Sequence, residues 1–236
     1  MDKLAQGLGL GSADMSTISG LPYRIADFEP MTYLVRQGDV AIHCGLVVSG
    51  FLCSSKIGGD GSRQIVSFHV NGDLFGFQSI FLDESDHHIQ VLSHASIFLI
   101  PKQAVLDAFE GNYAFRQALL RNMLKDLSIS KEWLFSMGRR SALARVAHLI
   151  CELAVRQDVA GLGNGLDYDW PLTQEQFGDA TGLTAVHVNR MIKALRDEGV
   201  ILSSKNKIKI SDWPRLAKIA DFTRGYLHMS GDVKIL

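Results

Sequence analysis

Two short stretches of helical apolar spacing, separated by a glycine, stand out between residues 172 and 199, LTQEQFGDATGLTAVHVNRMIKALRDEG. Thr173 occupies an N-cap position with Gln176 three residues on, the spacing of a capping box, and the helix it opens is expected to run to about Ala180. Gly182 supplies the left-handed backbone of a sharp corner. Thr184 then caps a second helix that continues to Glu198 and stops at Gly199. On that second helix Val188, Met191, Ile192 and Leu195 share one stripe, while Val186, Asn189, Arg190 and Lys193 lie on roughly the opposite side.

The pattern changes period on both sides of this pair. Downstream, the apolar run Val200-Ile201-Leu202, a polar turn and the alternating Lys207-Ile208-Lys209-Ile210 read as a two-stranded hairpin. Lys205, Lys207 and Lys209 share a parity and project from one face, with Ile208 and Ile210 on the other. Upstream, 112–137 contains no Gly or Pro, and Tyr113, Leu120, Leu127 and Leu134 recur every seven residues, with Met123 and Met137 at the companion positions. This predicts a long helix with a heptad seam, interrupted at Arg116 and Ser130. Gly138 reads as a hinge at its end, and a further helix follows from Arg139-Arg140-Ser141 to about Arg156, with a glycine-rich loop at 161–165.

Between residues 22 and 110 the period is two. Met31–Val35, Leu46–Cys53 and Gln64–Val70 read as strands, punctuated by Gln37-Gly38-Asp39, Gly58-Gly59-Asp60-Gly61 and Asn71-Gly72-Asp73. Short strands at this spacing predict a sandwich or barrel, with 58–61 a hairpin turn. The fold class is therefore α+β. Gly7-Leu8-Gly9-Leu10-Gly11 has neither a preceding strand nor a following lysine, so residues 1–20 read as a flexible leader, not a phosphate loop.

Composition narrows the class. The chain has 236 residues, 47% hydrophobic and 21% charged, with a net charge of −1. That is a globular composition with room for two modest domains. Charge is uneven: residues 1–138 carry 10 Lys/Arg against 14 Asp/Glu, and residues 139–236 carry 14 against 11. Basicity gathers in the half with the paired helices, as attraction to a polyanion favours. There is no signal-peptide core and no long apolar run, so a cytoplasmic protein without membrane contact is expected. Three widely separated cysteines, Cys44, Cys53 and Cys151, suggest reduced thiols and no disulfide framework.

The polar face of the second helix offers an amide, a guanidinium and an ammonium beside an apolar Val, groups suited to base edges, phosphates and a thymine methyl. Pattern alone also admits an ordinary αα-hairpin, and the lysine ribbon alone a protected edge strand. Taken in sequence, helix, corner, loaded helix and basic hairpin form a winged helix-turn-helix.

These residues carry a family resemblance. Leu172–Ile201 resembles the DNA-binding domain of the Crp/Fnr family of bacterial transcription regulators, through Thr173-Gln174-Glu175-Gln176, Gly182-Leu183-Thr184 and Val186-His187-Val188-Asn189-Arg190. Asp212-Trp213-Pro214 with Ile219-Ala220-Asp221-Phe222 resembles the tail of one branch, and the likeness extends upstream to about Leu21. It implies a β-roll sensor domain like cyclic-nucleotide-binding domains over 21–111, a dimerisation helix over 112–138, and a winged helix-turn-helix domain over 139–236, with the helix pair at 172–199 and the wing at 200–210. The partners implied are double-stranded DNA bearing a palindromic promoter site, a second copy of the chain, and RNA polymerase if the protein activates. Val186, Asn189 and Arg190 would read bases. Thr173, Gln174, Thr184, His187, Lys193, Lys205 and Lys207 would meet phosphates. Leu120, Met123, Leu127 and Leu134 would form the dimer seam. Cyclic-AMP receptor proteins carry Arg and Glu where this chain has Ala185 and Val186, so a different half-site is expected.

The sensor half departs further. Gly72-Asp73-Leu74-Phe75-Gly76 matches the segment leading into the family's phosphate cassette, where cyclic-AMP-responsive members continue with a ribose-binding Glu and later an Arg-Ser pair. Here Phe77 and Asp83-Glu84-Ser85-Asp86-His87-His88 stand instead. A cyclic phosphate wants a guanidinium and a hydroxyl, not carboxylates. Cyclic AMP is therefore not expected, and Gly72, Phe75, Gly76, Phe77, His87 and His88 remain a candidate pocket for an unidentified small-molecule effector. The iron–sulfur branch uses four cysteines, and three do not supply that set. Some relatives hold haem through a histidine, but neighbouring strand residues such as His87 and His88 face opposite ways, and Asp86-His87 fits a structural hydrogen-bonded pair. His69 is the best placed of the histidines, with nothing specific to mark it as a ligand. No cofactor and no metal site is predicted. A metal- or haem-dependent enzyme is the alternative class, and no nucleophile elbow, HExxH, phosphate loop or paired-carboxylate motif supports it.

Overall fold

The structure, a computed structural model, describes residues 20–162, 166–204 and 206–228. Apart from Gly20, the leader expected over 1–20 lies outside the described residues, as do Lys205 and residues 163–165 of the glycine-rich loop. The chain divides between Asp126 and Leu127 into two compact units.

The first unit is the expected roll of antiparallel strands. Its strands are β1 (Arg24–Phe28), β2 (Tyr33–Val35), β3 (His43–Ser49), β4 (Leu52–Ile57), β5 (Arg63–His69), β6 (Leu74–Phe75), β7 (His88–Val91) and β8 (Ala95–Pro101). A short α1 (Gln78–Phe81) follows β6, and α2 (Lys102–Gly111) leads into the long α3 (Tyr113–Arg139). Two four-stranded sheets, ordered β1-β8-β3-β6 and β2-β7-β4-β5, enclose a core of Val47, Leu52, Phe75, Ile89, Val91 and Ile97. Strand alternation sends Cys44 and Leu46 to the other side of β3, into a second core with Phe77, Val105, Phe115 and Leu119.

Three sequence expectations change here. Leu46–Cys53 is two strands, because Gly50 takes a φ of 99° and reverses the chain between β3 and β4. A Cβ at Gly50 would lie 2.5 Å from the His94 carbonyl oxygen, so the reversal needs glycine. The Met31–Val35 strand shortens to Tyr33–Val35 because Met31 takes a positive φ of 71°. The long helix ends at Arg139, one residue past Gly138, but the helix expected from Arg139 opens later, where the Ser141 hydroxyl accepts the Ala144 N–H and caps α4 (Ala142–Val159). The hairpin turn at 58–61 forms as expected, with the Gly58 N–H donating to the Ser62 carbonyl at 2.8 Å.

The second unit is organised around α4, in which residues 146–158 are all buried. Around it stand α5 (Gln174–Thr181), α6 (Ala185–Asp197), α7 (Trp213–Ala220) and a three-stranded sheet of β10 (Ile201–Ser204), β11 (Lys207–Ile210) and β9 (Asp167–Asp169), in that order. Burying a whole helix that carries His148, Glu152 and Arg156 requires polar partners. Glu152, fully buried, accepts from Trp133 Nε1 at 3.0 Å and Tyr226 OH at 2.8 Å, with Arg156 Nη1 at 3.3 Å. Nearby, Glu132 lies 2.7 Å from Arg140 Nη2 and 3.3 Å from His148 Nε2. Arg140 also donates to the Asp221 carbonyl at 2.9 Å, and His148 stacks on Tyr226. The last two turns of α3 and the 221–226 segment are thereby fastened to α4.

Candidate nucleic-acid interface

The corner between α5 and α6 is built from local signals. Thr173 Oγ1 accepts the Gln176 N–H at 3.1 Å while Gln176 Oε1 accepts the Thr173 N–H at 2.9 Å, a complete capping box. Gly182 closes α5 in the left-handed conformation, φ 64°. Thr184 Oγ1 accepts the His187 N–H at 3.3 Å and starts α6. The approach of the two helices is close: a Cβ on Gly178 would sit 2.4 Å from the Leu183 carbonyl oxygen. At the far end of α6, Arg215 Nη1 donates to the Glu198 carbonyl at 3.1 Å and its other nitrogen pairs with the Glu198 carboxylate. A cation there complements the negative end of the helix.

Along α6, Val188, Ile192 and Leu195 are buried and Met191 half-buried, while Val186, Asn189, Arg190 and Lys193 are exposed. Val186 is 69% exposed, so its apolar surface is free for contact. The four side chains thus form one solvent-facing stripe beginning at the N-terminal turn. Thr173 and Thr184 are exposed at the caps; each oxygen is used as an acceptor, leaving the hydroxyl hydrogen able to donate to a phosphate. His187 is half-buried, as is Gln174, whose side-chain oxygen is turned away from solvent.

The hairpin is present, with Lys207 and Lys209 exposed and Ile208 and Ile210 buried. It carries a third strand that the sequence pattern did not reveal. In the antiparallel register of β9 on β11, Asp169 stands opposite Lys207 and Asp167 opposite Lys209. Lys205, the remaining phosphate candidate, lies outside the described residues.

On α3 the exposed apolar stripe consists of Tyr113, Leu120, Leu124, Leu127, Leu134 and Phe135. Met123 departs from the expected seam: it packs against the core formed by Leu119, Phe115 and their neighbours. Leu119 is four residues earlier, so Met123 falls on the same inward face. Leu124, 63% exposed, takes its place on the outer stripe.

The six residues of the candidate effector pocket do not act as one lining. Phe75 and Phe77 are buried in two different cores, and the Phe75 ring rests on Gly45, where a Cβ would come within 1.9 Å of it. Gly72 and Gly76 take positive φ, 86° and 77°, in turns flanking β6. His87 Nδ1 pairs with Asp86 Oδ1 at 2.7 Å, as the sequence suggested, and Lys56 lies 2.8 Å from the same carboxylate. His87 and then Lys56 hold the Asp86 carboxyl down at about 2. His88 Nδ1 accepts the Gln37 N–H at 3.2 Å, and His69 Nε2 lies 2.8 Å from Ser54 Oγ. Cys44, Cys53 and Cys151 are buried in three separate elements, and burial pushes the Cys44 and Cys151 thiols far up. Among the described residues, no group of three His, Cys, Asp or Glu is placed to hold a metal ion, and no helix is long and apolar enough to cross a membrane.

Known proteins share this arrangement. Residues 25–112 match the cyclic nucleotide-binding domain and residues 144–219 the Crp-like helix-turn-helix domain. The chain is 26% identical over 194 residues to the nitrogen fixation regulation protein FixK of Rhizobium meliloti, covering 81% of this chain and 82% of that protein. It is 26% identical over 216 residues to the transcriptional activator protein FnrL of Cereibacter sphaeroides, covering 89% and 85%. The structure of FixK2 from Bradyrhizobium japonicum superposes with a TM-score of 0.78 at 24% identity, covering 84% of this chain and 98% of that one. A cyclic nucleotide-binding domain followed by a Crp-like helix-turn-helix domain, together with relatives that match along most of their length, places this chain in the Crp/Fnr family of transcriptional regulators.

Proposed function

We propose that the protein acts as a homodimer on a palindromic duplex site, each copy laying α6 in a major groove. The observation that carries this reading is the open stripe of Val186, Asn189, Arg190 and Lys193 on a helix whose other face is buried. Arg190 has the bidentate fork that matches a guanine edge, Asn189 the amide that matches adenine, and Val186 an apolar surface for a thymine methyl. Lys193, Thr173, Thr184, Gln174, His187 and the wing lysines, Lys205 and Lys207 among them, supply phosphate contacts that fix register. Two copies joined along the exposed leucines of α3 would present two such helices to half-sites about one helical turn apart. The cellular setting in this reading is the cytoplasm, and a DNA-bound activator would work through RNA polymerase. FnrL is named as an activator.

The roll would serve as the sensor domain for a signal other than cyclic AMP, since no guanidinium–hydroxyl pair stands where the cyclic phosphate would need one. Selection of bound sequences from random duplex DNA by the purified protein tests the proposal. A palindrome with half-site centres about 10 base pairs apart is expected; no enriched palindrome would overturn it.

A further inference from the structure

The exposed face of the wing is a mixed-charge surface. β10 pairs with β11 so that Leu202 faces Lys209 and Ser204 faces Lys207; β9 pairs on the other side so that Asp167 faces Lys209 and Asp169 faces Lys207. Directly opposed residues of an antiparallel pair project from the same side of the sheet. Two rows therefore cross the outer surface, Leu202–Lys209–Asp167 and Ser204–Lys207–Asp169. The inner surface is apolar: Tyr168 and Ile208 are each 2% exposed. That burial, and the Gln157 side chain donating to the Asp169 carbonyl at 3.1 Å, fixes which way β9 faces, so the register puts Asp167 and Asp169 on the same face of the sheet as the lysines.

We propose that Asp167 and Asp169 are specificity-determining residues that act as counter-charges to the wing lysines. This rests on the reading that the wing meets the phosphate backbone. Phosphate attraction is indifferent to sequence and dominates binding to random duplex. A lysine that already has a carboxylate beside it gains less from a phosphate and releases fewer counterions from the DNA. The acidic strand thereby holds down the sequence-independent part of binding and leaves the choice of site to Val186, Asn189 and Arg190.

The test uses the full chain with the paired substitution Asp167→Asn and Asp169→Asn, which keeps side-chain size and polarity on the outer face. Affinities for the selected site and for a random-sequence duplex are measured between 50 and 200 mM salt. Random-duplex affinity should rise about 3- to 10-fold at the lowest salt, and the slope of log K against log salt should steepen by about 1 to 2. The ratio of site to random affinity should fall. Adding Lys207→Ala and Lys209→Ala should cancel the gain. An unchanged salt slope in the paired variant would sink the proposal, as would a gain that survives loss of both lysines, since the carboxylates would then act without them. A wild-type protein that enriches no sequence would instead defeat the DNA-site reading itself, which keeps the two failures distinct.

Discussion

Trp133, near the end of α3, donates its indole N–H across 3.0 Å to a carboxylate oxygen of Glu152 that no solvent reaches. Tyr226 donates to the same oxygen at 2.8 Å, and Arg156 lies 3.3 Å from the other. Burial raises the Glu152 carboxyl above its usual range, while Arg156 and the two donors pull it back. Removing a carboxylate from such a set strands the charge and the donors that faced it. Glu152→Ala should therefore cost about 3–5 kcal/mol in chemical denaturation. Glu152→Gln, which keeps an acceptor for Trp133 and Tyr226, should cost clearly less. Equal losses in the two variants would mean that packing, not hydrogen bonding, holds this junction.

His148 gives the same region a pH dependence. Burial first, and the Arg140 charge second, push its pKa down from 6.5 to about 3. Between those values the unfolded chain binds the proton and the folded chain does not, so stability rises with pH across the window and is lost as pH falls from 6.5 toward 3. The loss should be on the order of 1 kcal/mol per pH unit. His148→Phe keeps a ring to stack on Tyr226 and carries no proton, so its stability should vary less between pH 6.5 and 4. Denaturant midpoints of both proteins over that range decide the matter, and parallel curves would exclude His148 as the source.

Local chemistry explains which features could be read from the residues. The Thr173–Gln176 capping box, the Gly182 corner, the Thr184 cap and the Asp86–His87 pair each depend on neighbours within three residues, and each forms as the spacing implied. What escaped was set by distant partners. Asp167-Tyr168-Asp169 is too short to show a strand period, and only its register on β11 makes it one. Met123 satisfies a seven-residue repeat, yet α3 already buries Phe115 and Leu119 against the roll, and that contact decides which face it joins. Leu46–Cys53 reads as one apolar run because the turn inside it rests on a single glycine. The candidate effector residues share a stretch of sequence, but β6 ends at Phe75 and the left-handed turn at Gly76, φ 77°, sends Phe77 into a different core.

Gly178 is a position where one methyl group is decisive. The nearest atom to a Cβ there is the Leu183 carbonyl oxygen at 2.4 Å, a backbone atom that moves only if the corner between α5 and α6 moves. Gly178→Ala should destabilise the protein by about 1–3 kcal/mol, the range for overpacking, and should weaken binding to the selected site by displacing the start of α6. Thermal melts and site titrations that match the wild type would show that the corner can relax.

The two faces of α3 predict opposite responses at adjacent positions. Leu124 and Leu127 are 63% and 49% exposed, while Met123 packs inward. Leu124→Asp with Leu127→Asp should turn a dimer into a monomer in sedimentation while leaving the fold intact. Met123→Ala should lower stability and leave association unchanged. If Met123→Ala dissociates the protein and the paired aspartates do not, the seam runs along the other face.

Val186 and Arg190, one turn apart on the open stripe of α6, should fail in different ways. Arg190→Ala removes a bidentate donor, so it should lose about 1–3 kcal/mol at one base pair and relax preference there. Val186 offers no hydrogen bond, and 69% of its surface stands free for apolar contact. Its natural partner on a base edge is the C5-methyl group of thymine. Replacing each thymine of the selected half-site in turn by deoxyuridine deletes that methyl and changes no hydrogen bond. Wild-type protein should lose affinity at one such position, Val186→Ala should be indifferent there, and Arg190→Ala should retain the wild-type sensitivity. If no thymine is sensitive, or if Val186→Ala responds as the wild type does, Val186 does not read a methyl group, and its exposure needs another cause.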